Sequence, residues 1–161
     1  MGKRERWRDG GATLYVDRGA AHGDRGAAPG MPAGHPERLE AAAEVPLEVP
    51  VEVPLEGPLE VPLEVAASYR ARTRGLLGRD GIEGAMLLTP ASSVHTFRMR
   101  FAIDVAHLDR RLTVIALTTM VPGRLGLPRL RARHVLEAEA GAMAAWGLRV
   151  GSPLRVRLTA R

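Results

Sequence analysis

From Val45 to Val65, apolar and polar positions alternate almost without interruption: VPLE-VPVE-VPLE-GPLE-VPLE-V, five four-residue units. Val45, Leu47, Val49, Val51, Val53, Leu55, Leu59, Val61, Leu63 and Val65 share one side of an extended chain, with the prolines and glutamates on the other. A proline in every unit forbids an α-helix there, and each residue before a proline is held extended. Backbone N–H groups alternate sides as well, so the prolines strip donors from one edge only. The tract therefore predicts an edge strand or a flexible, partly polyproline-II insert. A proline-rich docking motif is the sharper alternative, although no basic residue flanks the prolines.

On either side the pattern changes. Ala12 to Asp17 is a short β-like run, and Arg18 to about Glu44 carries Gly, Ala, Pro and charge without periodicity, which predicts disorder. After the tract, Ser68 can cap a short helix over Tyr69–Leu77, which Gly75 and Gly78 weaken toward its end. Strands are predicted at Ala85–Leu88, Val94–Phe101, Ile103–Asp109, Leu112–Thr119, His134–Ala138 and Pro153–Leu158. Asp109-Arg110-Arg111 is a turn, Pro122–Arg133 a long Arg/Gly/Pro loop, and Ala142–Trp146 a helical turn. Many short strands and little helix predict an α+β, mostly β fold: a small antiparallel β-barrel-like domain with one short helix. The expected organisation is a tail and first strand (1–17), a disordered low-complexity insertion (18–62) and the folded domain (63–161).

Several runs in the second half resemble one known family. They are Ala67-Ser68-Tyr69-Arg70-Ala71-Arg72-Thr73-Arg74-Gly75-Leu76-Leu77-Gly78-Arg79, Gly84-Ala85-Met86-Leu87-Leu88, and His95 to Phe101 followed by Ile103-Asp104-Val105. Val135-Leu136-Glu137, Gly141 and Gly147 to Gly151 complete the set. Together they look like the domain of unknown function 192, over about residues 65–158. The resemblance implies a compact β-rich domain with one short helix and no established activity. It departs where many members place a Trp before the Met and Lys-Asn after it; Arg98, Arg100 and Phe101 stand there instead, and His107 takes a place usually aromatic. The resemblance also implies a first strand at Ala12–Asp17 and a second at Leu63–Ala67, with Val61-Pro62-Leu63-Glu64 belonging to the second. The repeat then looks like that strand's own beginning copied into a hairpin connection, at little entropic cost.

Charge divides the chain in the same way. Residues 1–66 hold 7 Lys/Arg against 12 Asp/Glu, a net of −5, whereas residues 67–161 hold 16 Arg against 6 Asp/Glu, a net of +10. A small basic domain attracts anionic partners, but an Ala/Gly/Pro-rich chain whose basic residues beyond Lys3 are all Arg is also what biased composition writes. With no cysteine, disulfides, thiolate nucleophiles and Cys-based metal sites are excluded. No run approaches the ~20 apolar residues of a membrane span. The basic start has no apolar segment behind it, so a cytoplasmic protein is expected, with no membrane partner.

Candidate chemistry is sparse. His95, His107 and His134 with Asp104, Asp109 and Glu137 invite a metal reading, but no helical spacing brings any pair together, and no metal or cofactor is expected. Ser92 and Ser93 near His95 lack a nucleophile elbow, and Gly75 to Arg79 closes a helix where a phosphate loop would open one. No catalytic residue is assigned. Asp104 stands between Ile103 and Val105, and a carboxylate in so apolar a strand needs a partner; Arg74 or Arg79 is the expected one. The candidate ligand site is Arg74, Arg79, His95, Arg98, Arg100 and Asp104. A polyanion patch is expected at Arg124, Arg129, Arg131 and Arg133. The expected function is a non-enzymatic binding or accessory module for a protein or small anionic ligand. An enzyme with an Arg/His/Asp site, or a weak nucleic-acid binder, is the alternative.

Overall fold

The computed structural model describes residues 7–17 and 57–159. The stretch read as disordered and the first three repeat units lie outside them. Seven strands form one sheet, β1 (Gly10–Val16), β2 (Leu59–Ala66), β3 (Ala85–Leu88), β4 (Ile103–Leu108), β5 (Val114–Met120), β6 (His134–Glu139) and β7 (Leu154–Leu158). Two helices accompany them, α1 (Tyr69–Arg74) and α2 (Ala142–Ala145). The order across the sheet is β5-β4-β6-β3-β2-β1-β7. All neighbours are antiparallel except β2 and β3. No helix among the described residues is long and apolar enough to cross a membrane.

The expected barrel is corrected to a curled, open sheet. Its edge strands meet at one end only, where Thr113 bridges Pro153 and Val114 exchanges backbone hydrogen bonds with Gly151 and Ser152. Beyond that end the remainder of β5 pairs with β4 alone.

The alternation in the repeat is kept. Val61, Leu63 and Val65 are buried while Glu60, Pro62 and Glu64 are exposed. The edge-strand expectation is not kept, because β2 lies between β1 and β3. Pro62 stands opposite Thr13 of β1, and pairing with β3 begins one residue later, at Leu63 and Ala85. The proline thus sits where β2 has one ladder neighbour, as its missing donor requires. Gly84 makes the approach possible: a Cβ there would stand 2.2 Å from the Pro62 carbonyl oxygen, and its φ of 76° suits glycine.

Val94–Phe101 is not a strand. One bridge, His95 to Leu125, is all it contributes to a ladder. Thr96 turns the segment away: its hydroxyl donates to the Val121 carbonyl at 2.7 Å and accepts from Arg124 N–H at 2.9 Å. Met99 N–H then closes a turn onto the Thr96 carbonyl, and Arg98 takes φ 60°. The helix is shorter than its pattern, ending at Arg74 with Gly75 at φ 45° as its C-cap. Its start is held twice, by the Ser68 hydroxyl on Ala71 N–H (3.1 Å) and by Asp9, which accepts from Ala67 and Ser68 N–H at 2.6 and 2.7 Å.

Alternate residues of the strands feed two cores, one per face, with β1 and β7 contributing to the first only. Leu14, Val16, Leu63, Leu87, Ala106, Leu108, Leu136 and Met143 fill the first, against α2. Leu76, Met86, Leu88, Met99, Ile103, Val105 and Val135 fill the second, beneath α1 and the 91–101 segment.

Candidate functional site

Each face carries a buried carboxylate, and their surroundings differ. Asp104 is 5% exposed and belongs with Ala106 and Leu108 on the first face. One of its oxygens accepts from the Thr119 hydroxyl at 2.6 Å; the other accepts from Gly141 and Met143 N–H at 2.9 and 3.1 Å, capping α2. The expected ion pair with Arg74 or Arg79 is therefore corrected. A strand hydroxyl and two backbone amides satisfy Asp104 instead. Arg79 forms a two-pronged pair with Glu64 of β2, at 2.7 and 2.8 Å.

Glu137 on the second face has no such support. It stands at the middle of the sheet, opposite Met86 of β3 and Val105 of β4, and is 3% exposed. Burial pushes its carboxyl up to about 7, and among the described residues no donor or cation is set against it. A pocket of about 90 Å³ opens above it, walled by Arg72, Arg74 and Gly75 of the helix end and by Ser93, His95 and Met99. Its size admits a few water molecules or one small oxyanion. A Cβ on Gly75 would come within 4.0 Å of Glu137 Oε2, so the bare glycine keeps this wall thin. Arg72 is already committed, donating to the Ala67 and Thr89 carbonyls. Arg74 and His95 are exposed at the mouth, and His95 stacks on Phe97 with ring centroids 5.4 Å apart.

Of the six residues expected to form one ligand site, only Arg74 and His95 line this pocket. Arg79 is paired with Glu64 and Arg100 with Asp80 (2.8 Å), both in exposed ion pairs. Arg98 is exposed on the turn, and Asp104 lies on the opposite face. Sequence reasoning weighs Glu137 only as a metal ligand and leaves it out of the expected ligand site. The signal was present in His134-Val135-Leu136-Glu137-Ala138, a carboxylate inside an apolar strand run, the same cue that drew attention to Asp104.

The polyanion patch also divides. Arg124 and Arg129 border a groove beside His107, whereas Arg131 and Arg133 line a shallow surface with Asp109, Arg110 and Arg111. Among the described residues, no three His, Asp or Glu side chains gather as a metal cluster. His134 Nδ1 instead bonds to Thr89 Oγ1 at 2.7 Å, and Asp109 accepts from Arg111 and Thr113 N–H.

Comparison with known proteins matches residues 51–156 to the family DUF192, described as "Uncharacterized ACR". A UPF0127 protein of Pyrococcus horikoshii is 32% identical over 81 residues, 47% of this chain and 70% of the relative. A UPF0127 protein of Pyrococcus furiosus is 36% identical over 63 residues, 39% of this chain and 54% of the relative. Two solved structures share the fold. One is a protein of unknown function from Novosphingobium aromaticivorans, with a TM-score of 0.55 and 20% identity, covering 62% of this chain and 77% of that one. The other is a candidate transcription regulator from Sinorhizobium meliloti, with a TM-score of 0.60 and 13% identity, covering 92% and 95%. At these identities the likeness is one of fold alone.

Proposed function

The chain belongs to the DUF192 family, and within it we propose a non-enzymatic binding module that holds a small anionic ligand in the pocket above Glu137. The observation that carries this reading is a buried carboxyl, without a partner among the described residues, at the floor of a small pocket of mixed polar and apolar lining. Below about pH 7 that carboxyl is protonated and donates a hydrogen bond. Arg74 and His95 at the mouth supply further donors. An oxyanion lodged between them completes the hydrogen bonding that the protein alone leaves open. Above about pH 7 the ionised carboxylate repels it, so binding and deprotonation exclude each other.

The test uses sulfate and acetate, which do not titrate between pH 6 and 8, followed by calorimetry on the full chain. Saturable binding is expected at pH 6, weakening up to tenfold per unit above pH 7. The slope is measured in a His95→Gln background, so that it reports Glu137, among the described residues the one carboxyl in the pocket lining. In that background Glu137→Gln should flatten the slope, and Arg74→Ala should weaken binding at every pH. Failure of both anions to bind, or an unchanged slope in Glu137→Gln, refutes the reading.

A second reading rests on the same carboxyl. A group poised near 7 suits general acid–base catalysis, with Glu137 moving a proton on a substrate held by Arg74. Turnover of a carbonyl or phosphoryl compound that Glu137→Gln abolishes, with ligand affinity kept, would select it over simple binding.

A further inference from the structure

The second unpartnered polar group on this face is His107, and it marks a different place. It is 5% exposed, and among the described residues neither ring nitrogen has a hydrogen-bond partner. Buried imidazoles are rarely left so, and each such group calls for an explanation. The ring forms part of the wall of a groove of about 360 Å³, separate from the pocket above Glu137. Met120, Val121, Leu125 and Leu127 give the groove apolar walls, and Arg124 and Arg129 give it charge. Leu125 and Leu127 are 67% and 75% exposed, held out on the 121–133 loop where burial would normally claim them. Among the described residues, no carboxylate lines the groove to neutralise its arginines. Burial first, and the Arg129 cation second, press the His107 pKa below its usual value. The ring is therefore neutral at physiological pH, with one N–H to give and one nitrogen to receive.

We infer that this groove binds an amphipathic organic anion, a carboxylate carrying an aliphatic chain, with its head at Arg129 and His107 and its chain along Leu125 and Leu127. The head matches the guanidinium, and a small shift of the groove wall brings to it the imidazole N–H, whose nitrogens are otherwise shielded from solvent. The chain covers leucines that otherwise face water, each buried methylene tightening binding about fourfold. An inorganic anion would leave the apolar wall uncovered, and a neutral hydrocarbon would leave His107 unpaired and the arginines unopposed.

The chemistry has two natural sources, a free acyl carboxylate or the surface of an anionic bilayer, and one set of measurements separates them. Octanoate and butyrate are titrated into the full chain while the His107 ring resonances are followed by NMR. Vesicles of phosphatidylglycerol are tested by co-sedimentation. Octanoate is expected to bind saturably, to move the His107 resonances, and to bind at least tenfold more tightly than butyrate. Arg129→Gln should weaken octanoate about tenfold and His107→Phe several-fold, each checked for cooperative unfolding. Glu137→Gln should leave octanoate binding unchanged, which keeps this site's fate apart from that of the anion pocket. Absence of saturation, unmoved His107 resonances, or full affinity in Arg129→Gln overturns the inference. Vesicle binding without octanoate binding overturns it in favour of a membrane-surface contact.

Discussion

The two faces of this sheet bury ionisable groups on different terms. On the first face, Asp104 meets three donors and joins β4, β5 and α2 into one unit. On the second, Glu137 and His107 are as deeply buried, yet among the described residues nothing offsets the burial of Glu137 and neither His107 nitrogen has a partner, and each borders a cavity. Depth of burial is therefore no guide to role in this protein. The difference lies in whether the fold itself answers the polar group. Where it does, the group is a structural tie; where it does not, the domain keeps an open valence that a ligand can fill.

Asp104→Ala gives the largest expected effect. It leaves a hydroxyl and two amides without an acceptor, and the loss of folding stability should be about 3–5 kcal/mol by chemical denaturation. A loss below about 1 kcal/mol would erase the contrast between the faces.

Glu137→Gln should do the reverse. Its folded pKa of about 7 lies above the ordinary 4.5, so the folded state holds its proton more tightly than the unfolded one. The stability linked to that proton is complete below about pH 4.5 and is lost as pH rises through 7, a change of about 3 kcal/mol. Gln has no such titration. The variant should match the parent near pH 4.5 and exceed it by up to about 3 kcal/mol at pH 8; equal stability at pH 8 would mean that the carboxyl finds a partner after all.

Much of this architecture is legible from pattern. Alternation placed Val61, Leu63 and Val65 inward, and Ala85–Leu88 is a strand over the predicted residues. What fails is what depends on distant residues. Val94–Phe101 looks like a strand until the Thr96 hydroxyl engages Val121 and Arg124, two dozen positions away. Asp104 announces a need for partners, but backbone amides at Gly141 and Met143 leave no mark in composition that distinguishes them from an arginine. The open edge of β5 is also silent in sequence, because closure depends on sheet curvature and not on any one strand. Glu137 was equally readable as an odd residue; only its lack of a partner, a property of the fold, sets it apart from Asp104.

The insertion offers a milder test. Val16 of β1 pairs with Leu59 of β2, so the ends flanking residues 18–56 are cross-strand neighbours. We propose that this stretch is dispensable for folding. Joining Asp17 to Gly57 leaves Asp17, Gly57 and Pro58 as a short hairpin loop of a common length. Loop-closure entropy favours the shortened chain by roughly 2 kcal/mol. Thermal unfolding at a higher midpoint, with both anion affinities unchanged, is the expected result; loss of cooperative unfolding would show that the insertion supports the strands it joins.

The smallest effect probes the second face at its other end. His107→Phe removes two buried nitrogens that nothing answers while keeping a ring of similar shape in the wall of the groove. A gain of about 1 kcal/mol is expected at pH 7.5, read as a rise of roughly 3–4 °C in a domain of this size. The pH dependence runs opposite to that of Glu137→Gln. A histidine whose folded pKa is pressed below 6.5 contributes stability that is complete above that value and lost as pH falls through it. The gain from His107→Phe should therefore grow toward pH 5, whereas the gain from Glu137→Gln grows toward pH 8. Opposed slopes from two residues on one face would mean that both are held in their neutral forms against their own stability. That is the behaviour expected of groups kept for a ligand. A loss of stability in His107→Phe at every pH would instead make the imidazole a packed wall residue and leave Glu137 as the one open group on that face.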